Sequence, residues 1–179
     1  MMSQPESGNG SQSNVFTLEE AMTTYQPMLL RYAARVLHNQ DAAQDVVQLT
    51  FMRLHANMEK IMKKEIQLKG WLFRTAHNAA VDFIRKESRL RLLHSRQAVE
   101  MPRSENVSGQ EVDREALVLQ YLNVLKPKER EVLVLRLQEK MSYREIANVL
   151  NHSEGYVGTL IHTATKKLTQ SLQEAGVIA

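Results

Sequence analysis

Residues Met141–Leu168, MSYREIANVLNHSEGYVGTLIHTATKKL, constrain the chain more than any other stretch. Ser142 followed by Glu145 is a capping box, in which hydroxyl and carboxylate each satisfy an N–H group near a helix start. Ile146, Ala147, Val149 and Leu150 supply an apolar face behind that cap. Asn151-His152-Ser153 interrupts the pattern, and Ser153 is suited to cap a second helix. Beyond it Val157, Leu160, Ile161, Ala164 and Leu168 recur at three- and four-residue spacing, the period of one buried helical stripe. A short capped helix, a turn of roughly 3–4 residues and a longer helix make a helix-turn-helix. In that plan the second helix lies in a DNA major groove.

A chain of 179 residues allows one domain or two small ones, and a hydrophobic fraction of 43% is enough to pack them. No run approaches the ~20 apolar residues that cross a bilayer, so no membrane insertion is expected. The polar N-terminus lacks the apolar core of a secretory signal. The absence of cysteine rules out disulfides, thiolate metal sites and a cysteine nucleophile, and suits a cytoplasmic protein. The net charge of +3 is a small bias toward an anionic partner. The sequence has no acidic pair at metal spacing, no His-x-His or Glu-x-x-His cluster and no phosphate-binding glycine loop, and its six histidines are scattered. Neither enzyme activity nor any catalytic residue, metal or cofactor is therefore expected.

Taken in order, residues 1–16 read as a disordered leader, rich in Ser, Gly, Asn and Gln. Thr17-x-x-Glu20 is a second capping box, and Pro27 suits the first turn of a new helical segment that fades at His38-Asn39-Gln40. Asp41–Met58 is a helix with Ala43, Val47, Phe51, Leu54 and Met58 on one face, leaving Asp41, Gln44, Asp45 and Gln48 on the other. Acids in a first turn also favour the helix dipole, which by itself makes this an ordinary solvated face. Glu59–Lys69 reads as a loop or frayed helix with four lysines, ending at Gly70. Trp71–Lys86 is again helical: Leu72, Ala76, Ala79 and Phe83 form its apolar stripe, and Arg74, Asn78, Asp82 and Arg85 another. The run Arg85, Lys86, Arg89, Arg91 and Arg96 continues that polar face and suits phosphate tracking as well as plain solvation. Residues 97–112 lose all periodicity and form a flexible linker. Asp113–Leu125 is a helix, Pro127 opens the next, to about Glu139 with Val132, Leu133, Leu135 and Leu137 buried, and the final TQSLQEAGVIA is a fraying tail. The expected fold is all-α: a helical domain at 17–96 and a helix-turn-helix domain at 113–172.

Three segments together carry a family resemblance. Asp41–Leu54, DAAQDVVQLTFMRL, resembles region 2.2 of the bacterial sigma-70 family, and Gly70–Arg85, GWLFRTAHNAAVDFIR, resembles regions 2.3 and 2.4. Leu125–Leu168, through LKPKEREVLVLRL, SYREIANVL and TKKL, resembles region 4. Their order, with a short linker and no recognisable region 3 or region 1.1, is similar to the extracytoplasmic-function (ECF) group. The resemblance implies a protein that binds core RNA polymerase and promoter DNA, a monomer when free, clamped by an anti-sigma factor in many such cases. It implies polymerase docking by Asp41, Gln44, Asp45 and Gln48. It implies −10 recognition and melting by Arg74, His77, Asn78, Asp82, Arg85, Lys86 and Arg89. Amides suit the exposed edges of melted bases, and arginines hold phosphates or stack. The Glu59–Lys69 segment matches the family loop that captures an extruded base. The resemblance places −35 recognition on Ser153, Tyr156, Thr159, His162, Thr163, Lys166 and Lys167. The rival reading is a free-standing helix-turn-helix regulator that acts without polymerase, which would have no use for the region 2-like half.

One departure stands out. Where many ECF factors carry Lys or Arg along the recognition helix, this chain has Gly158, Leu160, Thr163 and Thr165. Gly155 and Gly158 each disfavour a helix interior by roughly 1 kcal/mol relative to alanine, unless they permit close backbone approach to DNA. Each lost phosphate contact lowers the salt slope of binding by roughly one. Recognition of −35 DNA is therefore expected to be weak or to depend on the polymerase-bound state. An affinity equal to that of arginine-rich relatives, measured by titration at fixed salt, would overturn this expectation.

Overall fold

The computed structural model describes residues 16–63, 67–94 and 121–178. The leader before Phe16, the linker at 97–112 and the first part of the helix expected from Asp113 lie outside those residues. Every regular element among the described residues is helical. Helix α1 spans Leu18–Leu37, α2 Gln40–Lys63 and α3 Leu68–His94. A 3-10 turn at Tyr121–Val124 precedes α4 (Pro127–Leu137), α5 (Tyr143–Leu150) and α6 (Glu154–Glu174).

Side-chain caps set the boundaries. Thr17 Oγ1 accepts from the Glu20 N–H at 3.1 Å, and Glu20 accepts the Thr17 N–H at 2.7 Å. At its other end α1 stops on His38, which adopts a left-handed conformation (φ 52°). Asn39 Oδ1 then accepts the Ala42 N–H at 3.0 Å to start α2. Ser142 and Glu145 make the reciprocal pair that opens α5, and Asn151 closes it in left-handed conformation. The hydroxyl of Ser153 opens α6 by accepting from Tyr156 N–H at 3.2 Å.

Several elements run further than local pattern suggests. Pro27 sits inside α1 rather than at the start of a new segment. Its exposed position leaves water free to reach the carbonyl that its missing N–H leaves without a partner. Burial of Ala21 before it and Leu29, Tyr32 and Ala33 after it holds the helix together. Helix α2 continues to Lys63 because Ile61 is buried, and α3 begins at Leu68, so Gly70 lies in its first turn. The expected loop at Glu59–Lys69 shrinks accordingly. Helix α4 ends at Leu137, which is 43% exposed, and Val134 is buried in its place. The described C-terminal residues are held: Leu172 is buried, and Gly176 (φ 67°) permits the Val177 N–H to reach the Leu172 carbonyl at 2.9 Å.

Helices α1, α2 and α3 pack on one another as a three-helix bundle. Ala76, Ala79 and Ala80 line the buried face of α3, and the Phe73 ring meets Tyr32 edge-on at 5.4 Å. In the second unit α6 packs against α4, α5 and the 3-10 turn. The two units also touch, α3 against α5 and α1 against α4, and their buried apolar residues form one continuous cluster. Replacing Ser142 by alanine should lower stability by about 1–2 kcal/mol. Thermal melting checks this: a drop of about 2–8 °C is expected, with little change in helicity.

Candidate nucleic-acid interface

Two helical faces are free to meet a polyanion. On α3, Arg74, Asn78, Asp82, Arg85 and Arg89 recur every three or four residues and are all exposed, with Lys86 beside them. Asp82 and Arg85 approach only to 4.0 Å with both side chains about two-thirds exposed, so neither is committed to the other. Burial of Leu72, Phe73, Ala76, Ala79 and Ala80 on the opposite side fixes which way this row points.

On α6, burial of Val157, Ile161, Ala164 and Leu168 turns Tyr156, Thr159, His162 and Lys166 outward. Ser153 is exposed at the helix start with its hydroxyl used as the cap. The Tyr156 ring, 41% exposed, stands edge-on to His152 at 4.9 Å, which fixes its direction. Thr159 donates its hydroxyl to the Gly155 carbonyl at 3.1 Å, and Thr163 is half-buried. A Cβ at Gly158 would meet the Tyr143 ring at an ordinary 3.7 Å and one at Gly155 would meet nothing, so packing demands glycine at neither.

Lys167 is differently placed. Its ammonium donates to Glu129 Oε1 at 2.7 Å, while Glu129 Oε2 accepts the Lys126 N–H at 3.0 Å. The Lys167 hydrogen bond, foremost among several causes, holds the Glu129 carboxyl below its ordinary range although burial opposes it. The pair therefore fastens the end of the recognition helix to the start of α4.

His77 is also engaged. Its Nδ1 lies 2.6 Å from Glu131 Oε1, which also accepts the Tyr32 hydroxyl at 2.5 Å. The Tyr32 hydroxyl also lies 3.2 Å from that same ring nitrogen, so the three groups form one cluster. The Tyr32 phenol is wholly buried; burial and then the Glu131 charge raise its pKa well above the usual value, keeping it a donor. Close by, Lys69 Nζ donates to the Glu139 carbonyl at 2.6 Å, and Arg130 meets His38. Arg130 also donates to the carbonyls of Leu122 at 3.0 Å and Leu125 at 3.3 Å. Burial raises the pKa of the Glu139 carboxyl, against the opposing charges of Lys69 and Arg31. Sequence reasoning missed Tyr32, Glu129 and Glu131, because each is defined by a partner in a distant helix.

On α2, Asp41, Gln44, Asp45 and Gln48 are all exposed above the buried Ala42, Ala43, Val46 and Val47. Beside them a groove of about 660 Å³ between α1 and α2 is lined by Leu18, Met22, Leu30, Gln44, Gln48 and Met52. Met52 is 62% exposed there. Among the described residues no group of His, Cys, Asp and Glu is arranged to hold a metal ion, and no helix is long and apolar enough to cross a membrane.

The family model for Sigma-70 region 2 matches residues 21–90, and that for Sigma-70, region 4 matches residues 121–170. The chain is 34% identical over 158 residues to the RNA polymerase sigma-E factor of Streptomyces coelicolor, covering 88% of this chain and 87% of that one. It is 24% identical to the ECF RNA polymerase sigma factor SigM of Bacillus subtilis, covering 90% and 98%. In fold it is similar to the sigma factor RpoE of Bartonella quintana, solved with the anti-sigma factor NepR (TM-score 0.72, 22% identity, 87% and 96% covered). It is also similar to CnrH, solved with the cytosolic domain of CnrY (TM-score 0.61, 25% identity, 88% of each chain).

The Glu129–Lys167 pair gives a pH prediction. The folded carboxyl titrates below its ordinary value of 4.5, so the stability it adds is present above that value and lost as pH falls through the lowered one. Glu129→Gln should therefore lower the melting temperature at pH 7 and flatten its fall below the ordinary carboxyl range, as followed by circular dichroism.

Proposed function

The chain belongs to the sigma-70 family, in its ECF group, and on that premise we propose how its residues divide the work. It is a sigma factor that binds core RNA polymerase and directs promoter-specific initiation. The region 2 match across α1, α2 and α3 favours this over a free-standing regulator, which would need only the helix-turn-helix. The α2 face of Asp41, Gln44, Asp45 and Gln48 docks on polymerase. The adjoining groove adds apolar area through Met22 and Met52 to a contact that charge alone would leave salt-sensitive. On α3, Arg74, Arg85, Lys86 and Arg89 track phosphates, and Asn78 offers an amide to melted −10 bases. Asp82 accepts from a base amino group or orients Arg85. His77 joins this face once its ring is released from Glu131.

On α6, Tyr156, Thr159, His162 and Thr163 read −35 base edges, Ser153 and Lys166 approach phosphates, and Lys167 orients the helix while paired with Glu129. With so few cations the helix contributes little to affinity by itself, so polymerase and the −10 contacts carry most of the binding. The protein works in the cytoplasm alongside polymerase and supplies no chemistry or cofactor of its own. An anti-sigma factor is its expected regulator, as NepR and CnrY are partners of the similar structures.

The observation that carries this reading is the exposed basic and amide row on α3, held outward by an alanine-rich buried face. Run-off transcription from a genomic fragment library with core polymerase, with and without the protein, tests it. Discrete new start sites with spaced −35 and −10 elements are expected. Arg74→Ala with Asn78→Ala should reduce their yield at least tenfold while core binding is kept. Failure to bind core would overturn the reading.

A further inference from the structure

The helix-turn-helix carries an acid at the point where its second helix enters the groove. We propose that Glu154, the first residue of α6, reads a cytosine in the −35 element by accepting a hydrogen bond from the N4 amino group of that base. This inference rests on the assignment of α6 to −35 DNA.

Placement carries the first part. Glu154 and Glu174 are the only acids of α6, and they stand at its two ends. The end that holds Glu154 is the one a helix-turn-helix turns toward base edges. The side chain is 59% exposed and does not cap the helix, since the Ser153 hydroxyl already accepts the Tyr156 N–H. Its partner is Arg144 on α5, 4.0 Å away, with that side chain 81% exposed. A pair so long and so open to water holds little, which leaves the carboxylate free to accept elsewhere. Gly155 follows directly and Gly158 lies one turn on, and the packing of the chain demands glycine at neither. With no side chain at either position, the backbone of this turn can approach a base pair closely enough for a glutamate to reach it.

Chemistry carries the second part. A carboxylate brought between two phosphate chains is repelled unless a donor meets it. In the major groove those donors are the amino groups of cytosine and adenine. Adenine sets its N7 acceptor beside the amino group, where it repels the second carboxylate oxygen. Guanine and thymine present acceptors only. Cytosine offers the donor with no acceptor on its own edge, so it is the base that an acid selects. Any other base leaves the charge desolvated and unmatched. The dipole of α6 also favours an acid in its first turn. That role alone is indifferent to base sequence, so specificity tells the two apart.

Holoenzyme assembled from core polymerase and the full-length chain is offered duplex templates with a randomised −35 region. The −10 element of these templates is one found by run-off transcription, and the retained templates are sequenced. The parent chain should enrich cytosine at one position by about tenfold. Glu154→Ala should remove that enrichment and leave the other positions as they were. Glu154→Gln should turn the preference to adenine, because an amide accepts from N6 while donating to N7. Circular dichroism controls for the folding of both variants, and should alanine not fold, glutamine decides alone. A parent profile with no preferred cytosine, an alanine profile that keeps it, or a glutamine profile that does not turn to adenine overturns the proposal. Failure to bind core polymerase sinks the sigma reading by itself. A fully randomised duplex library is then selected on the full-length chain alone, and the same loss and the same turn to adenine are required of it.

Discussion

The Glu131 carboxylate, only 13% exposed, finds its partners across the boundary between two helical units. Tyr32 and His77 lie 99 and 54 residues away in sequence, yet both reach the same oxygen. For that to happen α1 and α3 must be packed in register, which the edge-on Tyr32–Phe73 contact and the small alanines of α3 provide. Helix α4 must also turn Glu131 toward α1 and α3 while burying Val132, Leu133, Val134 and Leu135. The relative placement of the two units therefore converges on one partly buried carboxylate and the groups that meet it.

Within each unit the logic is more local. Thr17, Asn39, Ser142 and Ser153 set helix starts by side-chain hydrogen bonds, while His38, Asn151 and Gly176 set ends through left-handed backbone. The recognition helix is held less by charge than by burial of Val157, Ile161, Ala164 and Leu168. One of its few cations is turned inward to Glu129. A helix so anchored presents hydroxyl, imidazole and phenol groups rather than a basic stripe, which separates orientation of the reader from its electrostatic attraction to DNA.

Much of the candidate interface was legible in sequence because it depends on periodicity. Arg74, Asn78, Asp82 and Arg85 fall on one side of any helix that buries Leu72, Ala76 and Ala79, and the structure places them there. Asp41, Gln44, Asp45 and Gln48 follow from the same reasoning on α2. Pattern failed where tertiary burial overrode it. Pro27 reads as a helix start, yet burial on both flanks carries α1 through it. The stretch after Glu59 reads as a loop or frayed helix, yet buried Ile61 draws its first residues into α2. The closing residues read as a fraying tail, yet Leu172 anchors them.

The sequence by itself determined the all-helical character, the caps at Thr17, Ser142 and Ser153, the exposed rows and, through three ordered segments, the family, because these features depend on residues within a turn or two of one another. Only the tertiary structure decided that His77 and Lys167 are engaged by Glu131 and Glu129, and that α3 is covered by α5. Those contacts join residues tens of positions apart, whose pairing depends on how whole helices pack, and no local period encodes it.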